Sequence, residues 1–337
     1  MKGLSLAASL AAVLAAGGAH ANEFWLCAKP TDVTMPNGTV VPMWGYAQVE
    51  SAGFPTNCAG AQATIPGPML ELPPGENSMT IHLANLLPAP TSIMLPAQPG
   101  GMTPTYLSAA DGVAPELIGR VRSFTHEVPA WTDTAQDPPT GDYTWSGLRP
   151  GSYVYQSGTH LAVQVQMGLY GAMKKDFAAG MAYDGVPYDS EVTVFYSEVD
   201  PALHRAVADG RYGTGNFTST IDYKPRFFLV NGMPWNNATP PLPGGMWSER
   251  LLVRFFNMGL DTHVAVINGL NMDVIAEDGR PYNHVRRQVA LELPAGKSQD
   301  VIVVPGKPGQ YAIYDRALDF GISTRARGGL FARLQVN

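Results

Sequence analysis

The residues best suited to chemistry gather around one stretch, Tyr155–Gly171, which reads YQSGTHLAVQVQMGLYG. It carries one imidazole, His160, and three side-chain amides, Gln156, Gln164 and Gln166, set among small and apolar residues. With His126 and the thioether of Met94, His160 would make a mononuclear copper site. Imidazole and thioether suit copper, whereas amide oxygens are poor ligands for it. Alternatively, His160 and Gln156 hydrogen-bond within the same loop and satisfy backbone groups at a strand end. Gln164 and Gln166 alternate with Val163, Val165 and Met167. On a strand both amides would then share one face, lining a pocket or turned towards solvent or a neighbouring domain.

The remaining candidates are dispersed. After the first 21 residues the chain has six histidines, His82, His126, His160, His204, His263 and His284, with no His-x-His among them. His263, in Asp261-Thr-His-Val-Ala-Val, is expected at a strand end near an interface; His82, His204 and His284 are expected to be solvated. Met94 and Met102 flank a Pro-Gly-Gly loop, but no Met-x-x-Met cluster follows, so core packing is expected of the methionines. The polar stretches Asp111–Glu116 and Trp131–Pro139 have the acids and tryptophan of a sugar or peptide groove, without the carboxylate pair that glycoside hydrolysis needs. No Gly-x-Ser-x-Gly, P-loop or His-Glu-x-x-His sequence occurs, which removes the corresponding hydrolase and nucleotide chemistries.

The elements that must position these residues are strands. Met79–Ala84, Leu251–Phe256, Asp300–Val304 and Gln310–Tyr314 read as strands of half-buried sheets, separated by turns such as Pro74-Gly75 and Pro294-Ala-Gly296. One short helix is expected over Pro201–Asp209, with Asp200 as its cap and Pro201 in its first turn. The chain opens with Met1-Lys2, an apolar run from Leu4 to Ala16 and the small residues Ala19-His20-Ala21. This is the layout of a signal peptide, too short to span a bilayer, so residues 1–21 are excluded from the fold. Export to the periplasm, the cell surface or the medium is expected. Removing that segment, which holds one lysine and no acid, takes the net charge from −6 to −7. With no cluster of Lys and Arg, nucleic acid is an unsuitable partner; Arg325 and Arg327 fit a solvated loop. The two cysteines, Cys27 and Cys58, read as one disulfide in an oxidising compartment, against a metal role for which neither has a nearby His or Met. Closing a loop of that length stabilises by about 3–4 kcal/mol in the chain-entropy model.

The chain also repeats. Pro150-Gly-Ser-Tyr-Val-Tyr and Gly168-Leu-Tyr-Gly-Ala in the first half answer Pro308-Gly-Gln-Tyr-Ala-Ile-Tyr and Gly329-Leu-Phe-Ala in the second, and Met79–Asn85 answers Leu251–Asn257. One β-sandwich is therefore expected twice, over 22–178 and 179–337.

Several stretches carry a family resemblance. Ile65-Pro-Gly-Pro-Met-Leu-Glu-Leu, Asn85-Leu-Leu, Thr91-Ser-Ile, Pro150-Gly-Ser-Tyr-Val-Tyr and Met167-Gly-Leu-Tyr-Gly-Ala resemble the first cupredoxin domain of a multicopper oxidase. Phe228-Leu-Val-Asn-Gly232, Arg254-Phe-Phe-Asn-Met-Gly259, Val274-Ile-Ala-Glu-Asp-Gly279 and Pro294-Ala-Gly296 resemble the second. The resemblance implies an all-β fold of two tandem cupredoxin-like Greek-key sandwiches. It also implies two His-x-His pairs, but the matching positions hold Met94, Leu95 and Pro96, then Gln156, Ser157 and Gly158. The family's third domain would bring a His-Cys-His segment, and no such segment lies in this sequence. A blue-copper centre needs a thiolate with two imidazoles, and six scattered histidines are too few for the family's trinuclear cluster.

Two functions follow as expectations. The first is a non-catalytic exported protein that binds, builds or self-assembles through sandwich surfaces and strand edges, with no cofactor. The alternative is a copper-binding protein or copper-dependent oxidoreductase using His160. Whether the chain is an enzyme stays open at this point, leaning to no.

Overall fold

The computed structural model describes residues 22–98, 100, 103–214, 219–318, 321–322, 326–327 and 329–337; the segment expected to be a signal peptide (1–21), Met102 and Arg325 lie outside them. The first half contributes β1 (Asn22–Thr34), β2 (Val40–Val49), β3 (Gly67–Leu72), β4 (Ser78–Asn85), the hairpin β5 (Thr105–Tyr106) and β6 (Val121–Ser123), β7 (Thr140–Ser146), β8 (Gly151–Gln156), the helix α1 (Leu161–Met167) and β9 (Tyr170–Lys175). A small hairpin follows, β10 (Met181–Tyr183) with β11 (Val186–Pro187). Then come β12 (Ser190–Val199), the helix α2 (Pro201–Ala208), β13 (Phe227–Val230), β14 (Leu242–Pro243), β15 (Leu251–Asn257), β16 (His263–Ile267), β17 (Met272–Glu277) and β18 (Arg280–Gln288). The chain closes with β19 (Leu291–Leu293), β20 (Ser298–Val303), β21 (Gly309–Asp315), the short pair β22 (Gly321–Ile322) and β23 (Ala326–Arg327), and β24 (Phe331–Val336).

Sheets β2-β1-β4-β7 and β3-β9-β8 face each other in the first half, and sheets β13-β12-β15-β20-β17-β18 and β14-β24-β21-β16-β19 in the second. Each pair encloses its own apolar core, one built around residues such as Leu83, Tyr155 and Met173, the other around Val253, Ile267 and Leu334. In both halves an early strand runs parallel to a later one, β1 with β4 and β12 with β15, which requires a crossover rather than a hairpin. The fold is all-β, as the alternating segments imply.

The internal repeat is visible atom by atom. Asn85 accepts the Leu87 N–H and donates to the Ala89 carbonyl; Asn257 accepts the Gly259 N–H and donates to the Asp261 carbonyl. Each amide thereby pins the turn that follows its strand. Gly151 and Gly309 open matching strands at φ 146° and 144°. Gly168 shows why glycine is needed at such a place: φ is 117°, and a Cβ would lie 2.3 Å from the Trp44 carbonyl oxygen.

Several expectations need correction. Leu161–Met167 is a helix, not the strand its Val-Gln alternation suggests. It is buried from Val163 to Met167 on every side, so it has no polar face and no 3.6-residue pattern to read. Residues two apart on a helix point to nearly opposite sides, so Gln164 and Gln166 do not share a face. β15 and β20 are buried at every residue rather than half-buried, because the first half and the β10–β11 hairpin cover their outer surface: Ser298 Oγ donates to the Ser152 carbonyl at 3.0 Å, and Leu252 and Ile302 pack with Ala182 and Tyr183. His284 lies in β18, exposed, rather than in a loop. The expected helix is present as α2, and the Asp200 carboxylate accepts the Ala202 N–H at 2.8 Å. The disulfide Cys27–Cys58 joins β1 to a short helical turn, with Cα atoms 5.6 Å apart, and Lys29 Nζ holds the same turn through the carbonyls of Cys58, Ala59 and Ala61.

Arg254, in β15, is fully buried where the two sandwiches meet. Its guanidinium donates to Glu191 at 2.8 Å, to Asp176 at 2.7 Å and, across the interface, to Ser152 Oγ at 2.8 Å. Buried Asp300, hydrogen-bonded by the Tyr183 hydroxyl, adds its charge. Burial alone would lower the guanidinium pKa, but the three carboxylates together outweigh it and raise it.

Two histidines expected to be solvated or at an interface are buried, with opposite consequences. His204, on α2, directs Nδ1 to the Pro42 carbonyl at 2.9 Å, and its Nε2 has no partner among the described residues. Desolvation lowers its pKa to about 4, against the smaller raising effects of Pro42 and Asp200. His263, opening β16, sits between Asp315 of β21, at 2.8 Å from Nδ1, and Glu198 of β12, at 2.7 Å from Nε2. It thus ties the two sheets of the second sandwich together. Burial opposes its protonation, but the hydrogen bonds and charges of Asp315 and Glu198 win and bring the pKa up to about 9.

These shifts set the pH dependence of stability. The folded pKa of His263 lies above the ordinary 6.5, so its contribution, about 3 kcal/mol at 1.4 kcal/mol per unit, is complete below 6.5 and lost as pH rises to 9. The folded pKa of His204 lies below 6.5, so the unfolded chain takes up the extra proton and stability falls as pH drops from 6.5 to 4. Urea unfolding is therefore expected to give a maximum near neutrality, and proton NMR should show the His263 ring still protonated at pH 8. A neutral His263 ring at that pH would refute the assignment. Arg254→Met is expected to cost roughly 3–5 kcal/mol, since it strands buried carboxylates, measured as a lower urea midpoint.

Candidate functional site

The positions matched to the first-domain metal ligands lie where β8 ends. Met94 and Gln156 face each other across two backbone hydrogen bonds, Met94 N to Gln156 O at 2.8 Å and Gln156 N to Met94 O at 3.1 Å. Around them are two buried polar knots. In one, Thr159 Oγ1 lies 3.0 Å from both Ser92 Oγ and Ser123 Oγ, which are 2.9 Å from each other. In the other, Gln164 Oε1 accepts from Thr91 Oγ1 and Ser157 Oγ, both at 2.7 Å, while its amide nitrogen donates to the Pro90 carbonyl at 2.8 Å. Each hydroxyl of these two knots, and the Gln164 amide, has a protein partner, as buried polar groups require.

Gly158 completes the packing. A Cβ at this position would lie 2.9 Å from Ser92 Oγ and 3.1 Å from Thr125 Oγ1, so the loop closes on its neighbours and leaves no room for an imidazole. The residues present do not fit copper. The side chains directed inward offer hydroxyl and amide oxygens, which suit hard cations better than copper, and they are already committed to one another. Met94 is buried, but no imidazole joins it.

The two candidate imidazoles stand apart from this interior. His126 is exposed and stacks on Tyr143, with ring centroids 4.2 Å apart at 8°. His160 is exposed, precedes α1 and adopts a left-handed backbone with φ 43°. Its carbonyl starts the helix by accepting from the N–H groups of Val163 and Gln164. Partial desolvation holds its imidazole below the usual value, against the charge of Glu127. Among the described residues no group of three or more His, Cys, Asp or Glu is arranged to hold a metal ion.

Most of the remaining candidates are also committed. Gln166 donates to the Met258 carbonyl at 3.2 Å and so spans the two halves rather than facing a pocket, while its buried Oε1 has no partner among the described residues. Asp111 is held by Ser108 and Arg122, Asp133 accepts from Ala135 N at 3.0 Å, and Trp131 Nε1 donates to the Gln136 carbonyl. Asp137 accepts from Thr56 Oγ1 at 3.0 Å, so these loops spend side chains on their own turns and on the segments packed beside them. What the sequence analysis missed is the buried charge of the second half, Arg254 and the Glu198–His263–Asp315 bridge. Its trace was there to see: single charged residues inside otherwise apolar strands, as in Leu251-Leu-Val-Arg-Phe-Phe and Val194-Phe-Tyr-Ser-Glu-Val.

Residues 195–332 match the multicopper oxidase family. Among solved structures, a blue copper oxidase from Nitrosomonas europaea superposes with a TM-score of 0.67 at 15% identity, over 94% of this chain and 86% of that one. The multicopper oxidase mgLAC does so at 0.69 and 18%, over 94% and 86%. A copper nitrite reductase from Nitrosomonas europaea follows at 0.64 and 16%, over 94% and 93%. No curated protein matches the chain. At these identities the likeness of the solved structures is one of fold. Taken with the family match over residues 195–332, the chain has the fold of the multicopper oxidases, and its second half resembles that family in sequence as well.

Proposed function

We propose that the chain is an exported, non-catalytic protein that binds or builds with the surfaces of two multicopper oxidase-like sandwiches, over 22–178 and 179–337, and carries no complete copper centre. The observation that carries this is the interior beside Met94 and Gln156. Hydroxyls and amides there are paired with one another, and Gly158 abuts Ser92 and Thr125. A metal would have to break those bonds and then accept ligands of the wrong softness. Export is supported by the apolar leader and by the disulfide, which persists in oxidising compartments.

Metal analysis after loading with Cu(I) or Cu(II) and desalting is the direct test. The expected result is below about 0.1 copper per chain, as the donor set implies, with no oxidase activity on phenols or metal ions. One copper per chain that disappears in His160→Ala would overturn the proposal and restore a mononuclear copper protein.

A further inference from the structure

A cleft of about 490 Å3 opens between the two sandwiches, within the size range of small-molecule sites. Its first wall is apolar and comes from Pro96, Ala97 and Val154, with the ring of Tyr153 beside them. Pro96 is itself one of the positions where the family resemblance would place a ligand. The second wall is the β17–β18 turn with Tyr282, and the opposing Lys297.

The floor is rigid. The Tyr153 hydroxyl donates to the Pro150 carbonyl at 3.0 Å and lies 3.3 Å from the Gly279 carbonyl of the other half. A Cβ on Gly279 would fall 2.2 Å from the Tyr153 ring, and one on Gly151 would fall 2.6 Å from Gly279 Cα. The two sandwiches are thus in backbone contact under the cleft, which is formed in advance of any ligand and loses little on binding one.

The charges are unevenly used. Lys297 Nζ donates to Glu277 and to Asp278, both at 2.6 Å; the Tyr282 hydroxyl donates to Glu277, and the second Asp278 oxygen accepts the Ser298 N–H at 3.0 Å. Both acids and the ammonium are therefore satisfied. Arg280, at the start of β18 and lining the same cleft, is tied by its backbone to Glu277 in the β17–β18 ladder, but its guanidinium makes no side-chain hydrogen bond or ion pair among the described residues.

We propose that this cleft is a binding site for a planar apolar molecule bearing one carboxylate, its flat body against Pro96, Ala97 and Tyr282 and its carboxylate on the guanidinium of Arg280. The planar guanidinium pairs with a carboxylate through two parallel hydrogen bonds, and a neutral isostere cannot replace that contact. The proposal deepens the reading of the chain as a binding protein, and it does not depend on the copper result.

Titration of the full chain with 2-naphthoate, followed by calorimetry and by ligand NMR, tests it. Saturable binding is expected, at least about tenfold tighter than that of 2-naphthalenemethanol, the scale of one charge-assisted contact. Arg280→Gln should remove that difference while leaving the thermal midpoint unchanged. Arg287→Gln, whose guanidinium pairs with Asp273 and does not line the cleft, should leave both affinities as they were. No saturation with either probe, equal affinity for acid and alcohol, or an undiminished preference in Arg280→Gln would each overturn the site. Copper bound at His160 would sink the non-catalytic reading and leave this result intact.

Discussion

The arrangement of the two sandwiches depends on what a buried guanidinium requires. Arg254 cannot shed its charge, and stripping it of water is worthwhile only if several anions and acceptors converge on it. The chain answers with Glu191 from β12, Asp176 from the segment joining the halves, Asp300 from β20 and Ser152 from β8. Ser152 belongs to the first sandwich, so sliding one half over the other would strand a buried donor. The apolar layer that includes Val154, Tyr170, Phe195 and Phe256 supplies the adhesion, and it would tolerate many relative orientations. The directional bonds of Arg254 select one. That choice fixes the cleft above Tyr153 and the contact between Gln166 and Met258.

The same logic accounts for the interior beside β8. A bound metal ties loops together and its binding free energy adds to folding; a chain that lacks the ligands must hold those loops otherwise. Here the ties are neutral: a trio of hydroxyls, and one amide that receives two hydroxyls while capping the Pro90 carbonyl. Neutral hydrogen bonds cost less to bury than ions and need no particular pH. Such a knot is satisfied as it stands, and a half-satisfied one would be worse than apolar packing. The second sandwich meets a comparable need with charge, His263 between two carboxylates, and so acquires at that tie a dependence on pH that the neutral knot beside β8 does not have.

How much of this could be read from the sequence follows from which forces leave a periodic trace. The alternation of Met79–Ala84 and the paired glycines at 151 and 309 are local patterns, and both strands and the repeat appear where they point. Asp200-Pro201 carries its own capping chemistry, so α2 was legible as well. α1 was not, because a helix buried on all sides keeps no polar face, and Val-Gln-Val-Gln then looks like a strand. The burial of His204 was equally hidden: its neighbours on α2 include Arg205 and Asp209, and only the packing of that helix on β2 removes the ring from water. Among the site candidates, the lost ligand positions could be read one by one. What replaced the ligands could not, since Ser92, Ser123 and Thr159 are far apart in sequence and meet only through the pairing of their strands.

The exposed edge at β18 bears on assembly. It runs nine residues along the rim of the six-stranded sheet, with Val285 at 58% exposure and Val289 just beyond it at 64%. A long, flat, apolar edge invites another chain to add a strand. This edge is neither flat nor apolar. Its pairing with β17 breaks between Val274 and Ala276, so that residues 282–285 bulge from the ladder, and Arg280, Arg286 and Arg287 stand along it. Two copies laid edge to edge would set arginine against arginine with no acid on the strand to separate them. β18 is therefore guarded against pairing with a second copy of itself.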